Sequence, residues 1–198
     1  VNATFSGYDS FQAEHLSLMN GGELDIGKFD GMMEHIVEDD SNFVVDNGAS
    51  SFVPLSFYLA ENDAFSILLE NGKKPVIHTV LMGGQSLNDT MAGFTSLVTQ
   101  MPADVDIVVW KNEVQGRIIK DGKEFEEFKN YVAHKSRVRG IITIPQQTAG
   151  TFGEDIRRML ESKMSFDEVS QSKSFGLMSR SRLSKVQTMI FDQLAHVI

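Results

Sequence analysis

Four short apolar runs constrain the fold of this chain more than any other feature. Each is rich in Val or Ile and is bounded by Gly, Pro, Asn or Asp, which is typical of buried strands. They cover residues 42–46 (NFVVD), 75–82 (PVIHTVLM), 105–110 (VDIVVW) and 138–144 (VRGIITI). None alternates strictly between apolar and polar residues, so we expect strands that are covered on both faces.

Segments with a helical pattern lie between and after these runs. The predicted helices cover residues 26–38, 86–100, 124–135, 152–163 and 180–197, and residues 54–71 form one broken helix or two short ones. Strands that alternate with helices predict βαβ units with right-handed crossovers. The predicted fold class is therefore α/β, with a mainly parallel sheet and helices on both faces.

Charge and composition exclude several classes of function. The 198 residues carry a formal net charge of −9 and no cysteine. This balance argues against a protein that coats duplex DNA, and it excludes disulfide scaffolds, zinc–thiolate sites and Cys nucleophiles. No apolar run approaches the ~20 residues that span a bilayer, and the opening VNATFSGYDS lacks the pattern of a signal peptide. We expect a cytoplasmic protein.

Polar groups follow the predicted strands at their carboxyl ends, which is the edge where open parallel sheets bind ligands. These groups are Asp46-Asn47-Gly48, Lys111-Asn112 and Pro145-Gln146-Gln147. The sequence Gly83-Gly84-Gln85-Ser86 follows the second run and opens a helix, where free backbone N–H groups suit an anion. The sequence therefore predicts a ligand site at this edge.

Each candidate also has an ordinary structural explanation. Asp46 at a strand end suits a role beside Mg²⁺ through a bound water, or it is the acceptor of an Asp-Asn-Gly turn. The side-chain amide of Asn112 can bind a base edge, or it simply ends a strand. The pair Gly83-Gly84 binds phosphate, or it turns the chain.

A basic cluster lies near the carboxyl end of the chain. Its members are Lys173, Arg180, Arg182 and Lys185. They would contact DNA phosphates or a partner, or they form a solvated helix face. The sequence has no G-x-S-x-G, H-E-x-x-H or G-x-x-x-x-G-K-[ST] motif.

Several segments together resemble a known family. The segments are VNATFSGY, FVVDNGASSFVPL, VIHTVLMGGQSLNDTMAGF, VVWKNE, IITIP, TFGEDIRRML and MSRSRLSKV. They resemble the TraL-type conjugal transfer proteins of mobile plasmids, a branch of the ParA/MinD-like P-loop ATPases. The resemblance extends over nearly the whole chain. It implies a P-loop NTPase fold in which the strand and helix of the phosphate-binding loop precede the part that matches this chain.

The resemblance implies a role for individual residues. Asp46 matches a Walker B carboxylate that contacts Mg²⁺ through water, and residues 47–51, including Asn47 and Gly48, match the loop that responds to the γ-phosphate. Asn112 matches the position that reads adenine. The remaining matches are Ile144 and Pro145, whose backbone packs against the base, and Asn2, which lies near the phosphates.

The resemblance also implies how the chain works. We expect residues 1–198 to form a single partial ATPase domain, truncated at its amino end, with a terminal tail helix at about 171–198. The intact protein is expected to use ATP and Mg²⁺, to form a homodimer and to act with other conjugation or mobilisation proteins. Without a phosphate-binding loop, no catalytic residue is present and we expect no ATPase activity. The alternative is a non-enzymatic degenerate α/β adaptor, or a protein that contacts DNA through Arg180, Arg182 and Lys185.

Overall fold

The computed structural model describes residues 13–21 and 23–198, and the contacts divide the chain into two units. The first unit is Val1–Pro75 and the second is Val76–Ile198. The described elements of the first unit are β1 (Met19–Asn20), β2 (Glu23–Leu24), α1 (Lys28–Glu38), α2 (Ala49–Glu61) and α3 (Ala64–Glu70). Strands β1 and β2 form a short antiparallel pair.

The helices of the first unit pack through aromatic side chains. Phe29 and Met33, one turn apart on α1, are buried. The rings of Phe29 and Tyr58, on α2, lie 5.2 Å apart, and the Tyr58 hydroxyl donates a 2.6 Å hydrogen bond to Oδ1 of Asp30. Burial and this hydrogen bond raise the pKa of Tyr58 to about 12. Helices α2 and α3 are separate because Asp63, between them, has a left-handed φ of 48°, so the segment 54–71 forms two helices.

The prediction of a strand at residues 42–46 is wrong. This run is irregular, Val44 is 95% exposed and Val45 and Asp46 are also exposed. A strand is stable when a neighbour accepts and donates its backbone hydrogen bonds. Among the described residues of the first unit, β1 and β2 pair with each other and nothing pairs with this run.

The second unit contains the parallel sheet. Its strands are β3 (Val76–Met82), β4 (Asp106–Asn112) and β7 (Val138–Ile144), in the order β3-β4-β7. A separate small hairpin consists of β5 (Ile119–Lys120) and β6 (Lys123–Glu124). Its helices are α4 (Leu87–Gln100), α5 (Lys129–His134), α6 (Glu154–Glu161), α7 (Phe166–Gln171) and α8 (Leu177–Ala195). The α/β class and the parallel sheet are confirmed, with three of the four predicted strands.

Helices cover this sheet on both faces because side chains alternate along each strand. The buried cluster on one face joins the sheet to α4. Its members are Leu81, Leu87, Phe94, Val98, Ile107, Val109, Ile118 and Phe125. On the other face Val108 and Ile142 pack against Val197, which follows α8. A Cβ at Gly140 would lie 2.1 Å from Cγ1 of Val197, so this glycine lets the end of the chain approach the sheet.

The outer edge of β7 is covered by α8. The Gln193 side chain accepts a 2.8 Å hydrogen bond from the Thr143 N–H and donates a 3.0 Å bond to the Thr143 carbonyl. Both backbone groups of Thr143 are thereby satisfied without a further strand.

Helices α6, α7 and α8 form a second small core. Met159, Val169, Phe175 and Leu183 are buried together. Nε of Arg182 donates a 2.5 Å hydrogen bond to Oδ2 of the buried Asp155, which ties α8 to α6. Burial alone would raise the pKa of Asp155, but the hydrogen bonds from Arg182 and Ser179 outweigh it and hold that pKa below its usual value.

Candidate functional site

Two of the predicted site residues are neighbours at the carboxyl edge of the sheet. Asn112 ends β4, Ile144 ends β7, and they are paired in register. Oδ1 of Asn112 accepts a 3.1 Å hydrogen bond from the Val114 N–H, and its carbonyl accepts one from the Gly83 N–H. Its amide nitrogen has no hydrogen bond within the part of the chain that the structure describes. Asn112 therefore ends its strand as a turn residue and still offers its side-chain NH2 group as a hydrogen-bond donor.

Pro145 continues this edge. The Ile144 carbonyl accepts a 2.9 Å hydrogen bond from the Glu113 N–H, so it is already committed to the sheet. Pro145 is half-buried and starts an irregular connection, 145–148. The three residues Asn112, Ile144 and Pro145 thus share one edge, as the sequence predicted, and their roles in binding stay predictions.

The glycine pair before α4 has a packing explanation. A Cβ at Gly83 would lie 1.8 Å from the Gly116 carbonyl oxygen, which no side chain tolerates. Gly84 has a left-handed φ of +73° and faces the Gln115 carbonyl. The pair is therefore required by the close passage of the segment 115–117, whether or not an anion binds there.

The remaining predicted ligand residues belong to the first unit. Asp46 and Asn47 are exposed in an irregular segment, and Gly48 lies at the start of α2, where its carbonyl accepts hydrogen bonds from the N–H groups of Ser51 and Phe52. Residues 13–21 and 23–198 contain no group of three or more His, Asp or Glu side chains that could hold a metal ion. Asn2 lies outside the described residues.

Two of the three predicted DNA-contacting residues bind within the protein. Arg182 pairs with Asp155, and Nη1 of Arg180 donates a 3.3 Å hydrogen bond to the Ser170 carbonyl. Lys185 is exposed, and no hydrogen bond or ion pair involves it among the described residues. The contact with DNA stays a prediction.

Sequence reasoning placed Lys111 at this end of β4 but missed that its side chain is buried and paired. Nζ of Lys111, which is 10% exposed, lies 2.7 Å from Oε1 of Glu126. Burial of Glu126 would raise its pKa, but the hydrogen bond and charge of Lys111 lower it on balance. The pattern VVWKN gave no sign of this pair, because Glu126 lies in a later charged segment.

A cavity of about 170 Å³ opens beside the same edge. It is lined by Gln147, Phe152, Lys185, Val186 and Met189. The first two follow β7 and the others belong to α8, so the cavity forms where the connection after β7 passes the last helix. Sequence reasoning did not predict it, because its residues are far apart in the chain.

The second unit defines a class of protein: an α/β protein with a three-stranded parallel sheet, helices on both faces and a polar carboxyl edge. Two relatives, each called Protein TraL and both from Escherichia coli, are 43% and 44% identical to this chain over 194 residues. These alignments cover 98% of this chain and 80% of each relative. The chain belongs to the TraL family. No family model matches it, and no solved structure matches it.

The helices of residues 13–21 and 23–198 include none that is both long and apolar enough to cross a bilayer.

Proposed function

We propose that this protein takes part in conjugal transfer together with other transfer proteins, and that its sheet edge provides the base-binding part of an ATP site. The observation that carries the first half is the identity of 43–44% with two TraL proteins over 98% of the chain. The resemblance to ParA/MinD-like ATPases motivates the second half.

The arrangement of Asn112, Ile144 and Pro145 supports base binding. Asn112 and Ile144 lie side by side at the edge where parallel sheets bind ligands. The Asn112 amide group provides a donor for a ring nitrogen of adenine, and Ile144 and Pro145 provide apolar contact. The nearby ion pair of Lys111 and Glu126 keeps the end of β4 in place.

Separate roles toward magnesium and phosphate are proposed for residues of the first unit. Asp46 is proposed to hold a water of Mg²⁺, with Asn47 and Gly48 in the loop that responds to the γ-phosphate, and Asn2 near the phosphates. Phosphoryl transfer depends on positioning and charge neutralisation, which a Gly-Lys loop provides in P-loop NTPases. Residues 1–198 contain no such loop sequence, so we expect this chain alone to bind ATP weakly and not to hydrolyse it.

The role in transfer is tested by complementation. An Escherichia coli donor that lacks its own TraL is given this chain, the native TraL or an empty vector, and transfer to a recipient is counted. We expect this chain to restore transfer above the empty vector. If native TraL restores transfer and this chain, at the same protein level, does not, the proposed role is wrong.

Nucleotide binding is tested separately by saturation-transfer NMR with ATP and Mg²⁺. Asn112→Ala should weaken binding by about tenfold, because a hydrogen bond is lost, whereas Asn42→Ala, at an exposed position, should leave it unchanged. Asp46→Ala should reduce the dependence on Mg²⁺. Equal ATP affinity of the wild type and Asn112→Ala would show that Asn112 does not bind the base. Sedimentation of the same samples measures whether ATP promotes a homodimer.

The alternative is a non-enzymatic adaptor of the same transfer system. It predicts that Asp46→Ala and Asn112→Ala complement transfer as well as the wild type does. Loss of transfer in both variants, at unchanged protein level, would exclude the adaptor.

A further inference from the structure

The cavity beside α8 has an apolar floor and a polar rim. Val186 is buried, and Phe152 and Met189 are half-buried. The side chains of Gln147 and Lys185 complete the lining. Small-molecule sites have this composition, with mostly apolar walls and a few polar groups that fix orientation. The methionine adds a flexible wall that adapts to different shapes.

The size of the cavity limits its occupant. At about 170 Å³ it is close to the roughly 150 Å³ that accommodates one benzene molecule. A single six-membered ring or a branched aliphatic group therefore fits. A whole nucleotide is larger than this volume and would extend out of the cavity.

The rim provides one positive charge. Arg180 and Arg182, on the same helix, are committed to Ser170 and Asp155. Lys185 and Gln147, by contrast, make no hydrogen bond or ion pair anywhere in 13–21 or 23–198. An ammonium group and a side-chain amide next to an apolar floor suit a carboxylate, which accepts charge-assisted hydrogen bonds from both.

The turn that borders the cavity is unusual. Residues Ala149–Gly153 form a π-helical turn, with the Thr148 carbonyl accepting hydrogen bonds from the N–H groups of Thr151 and Gly153. Single π turns occur often at functional sites. This turn carries Phe152 into the lining.

We propose that this cavity binds a carboxylate that carries one aromatic ring or branched aliphatic group. The ring lies among Phe152, Val186 and Met189, and the carboxylate accepts hydrogen bonds from Lys185 and Gln147. Either a free organic acid or the C-terminal residue of a polypeptide has this chemistry. The proposal does not depend on nucleotide binding, because Asn112, Ile144 and Pro145 do not line the cavity.

The test uses the full chain with ¹³C-labelled methionine methyl groups, and Met189→Leu identifies the Met189 signal. Phenylacetate is titrated as the free acid and N-acetylphenylalanine as the end of a polypeptide. We expect at least one of them to move the Met189 signal saturably, and the tighter of the two identifies the source. Phenylacetamide, which lacks the charge, should bind more weakly.

Matched variants isolate the charge. Lys185→Gln should weaken binding of the carboxylate by about tenfold and leave phenylacetamide unchanged. Lys173→Gln, at an exposed position outside the cavity, should have no effect on either.

Three results would overturn the proposal. The first is a Met189 signal that neither carboxylate moves at about 10 mM, where a ligand of even millimolar affinity is largely bound. The second is equal affinity of the wild type and Lys185→Gln. The third is a Met189 signal that ATP moves and neither carboxylate moves. If Lys185→Gln abolishes that movement, the cavity binds the nucleotide instead.

Discussion

Two apolar runs with the same local pattern have different structures in this protein. Residues 42–46 (NFVVD) are irregular and exposed, whereas Val138–Ile144 (VRGIITI) forms β7. Strand β7 has β4 on one edge, Gln193 on the other, and Val197 against one face. The difference shows that an apolar run becomes a strand through its hydrogen-bonding neighbours, more than through its own composition.

The largest expected effect concerns burial in the two runs. Ile142→Ala removes a side chain that is 0% exposed and should lower the free energy of unfolding by about 2–5 kcal/mol. Val44→Ala, at a 95% exposed position, should change it by less than about 0.5 kcal/mol. Urea denaturation followed by circular dichroism measures both.

Ile142→Val, with an expected cost of about 0.5–1.5 kcal/mol, provides a measurable variant if Ile142→Ala does not fold. If Val44→Ala lowers the free energy of unfolding as much as Ile142→Ala does, residues 42–46 are a buried strand in solution. The difference between the two runs would then not exist.

A smaller effect is expected at Asp155, because the pair Asp155–Arg182 holds α6 on α8, the helix that covers β7. Asp155→Asn should lower the free energy of unfolding by about 1–3 kcal/mol near neutral pH. The pKa of Asp155 is held below its ordinary value of 3.8. The stabilisation from the ionised Asp155 is therefore fully present at pH values well above 3.8 and is lost as pH falls through the folded-state pKa. The free energies of unfolding of the wild type and Asp155→Asn should therefore converge in strong acid.

Asp46→Asn is the matched control, because Asp46 is exposed. It should leave the free energy of unfolding within about 0.5 kcal/mol of the wild type near neutral pH. A difference between wild type and Asp155→Asn that stays constant into strong acid would show that the charge of Asp155 does not stabilise the fold.

The smallest expected effect concerns the covered edge of β7. Gln193→Ala removes both hydrogen bonds to Thr143 and should cost about 1–2 kcal/mol. Exchange of the Thr143 amide hydrogen should become faster, which hydrogen exchange measured by NMR detects. Gln146→Ala, at an exposed position, should alter neither quantity. Unchanged exchange at Thr143 in Gln193→Ala would mean that the edge is protected by something other than this side chain.

The sequence predicted most of the second unit because its strands and helices follow local patterns. The run 138–144 matches β7 at both ends, and the run 75–82 exceeds β3 by one residue. Helix α8 begins at Leu177, three residues before the predicted start, because Gly176 precedes it in an extended conformation. The strand prediction for residues 42–46 is wrong because an apolar run shows only that the residues are apolar. It contains no information about a neighbouring strand with which they could pair.

The site was predictable to the extent that it follows from parallel strands. Asn112 and Ile144 end neighbouring strands, so their proximity follows from the topology. The cavity at Lys185 and Gln147 was not predictable, because it depends on how α8 crosses the connection after β7. The ion pair between Arg182 and Asp155 was not predictable either. The two residues are separated by 27 positions, and neither is distinctive in sequence.

The absence of a side chain at Gly83 has a mechanical consequence. The backbone of residues 115–117 passes so close to Gly83 that no methyl group fits between them, and Ile118, directly after this segment, is fully buried in the sheet core. Close-packed backbones transmit displacement instead of absorbing it. The turn after β4 and the entrance to α4 therefore behave as one rigid corner, and whatever pushes on one of them moves both.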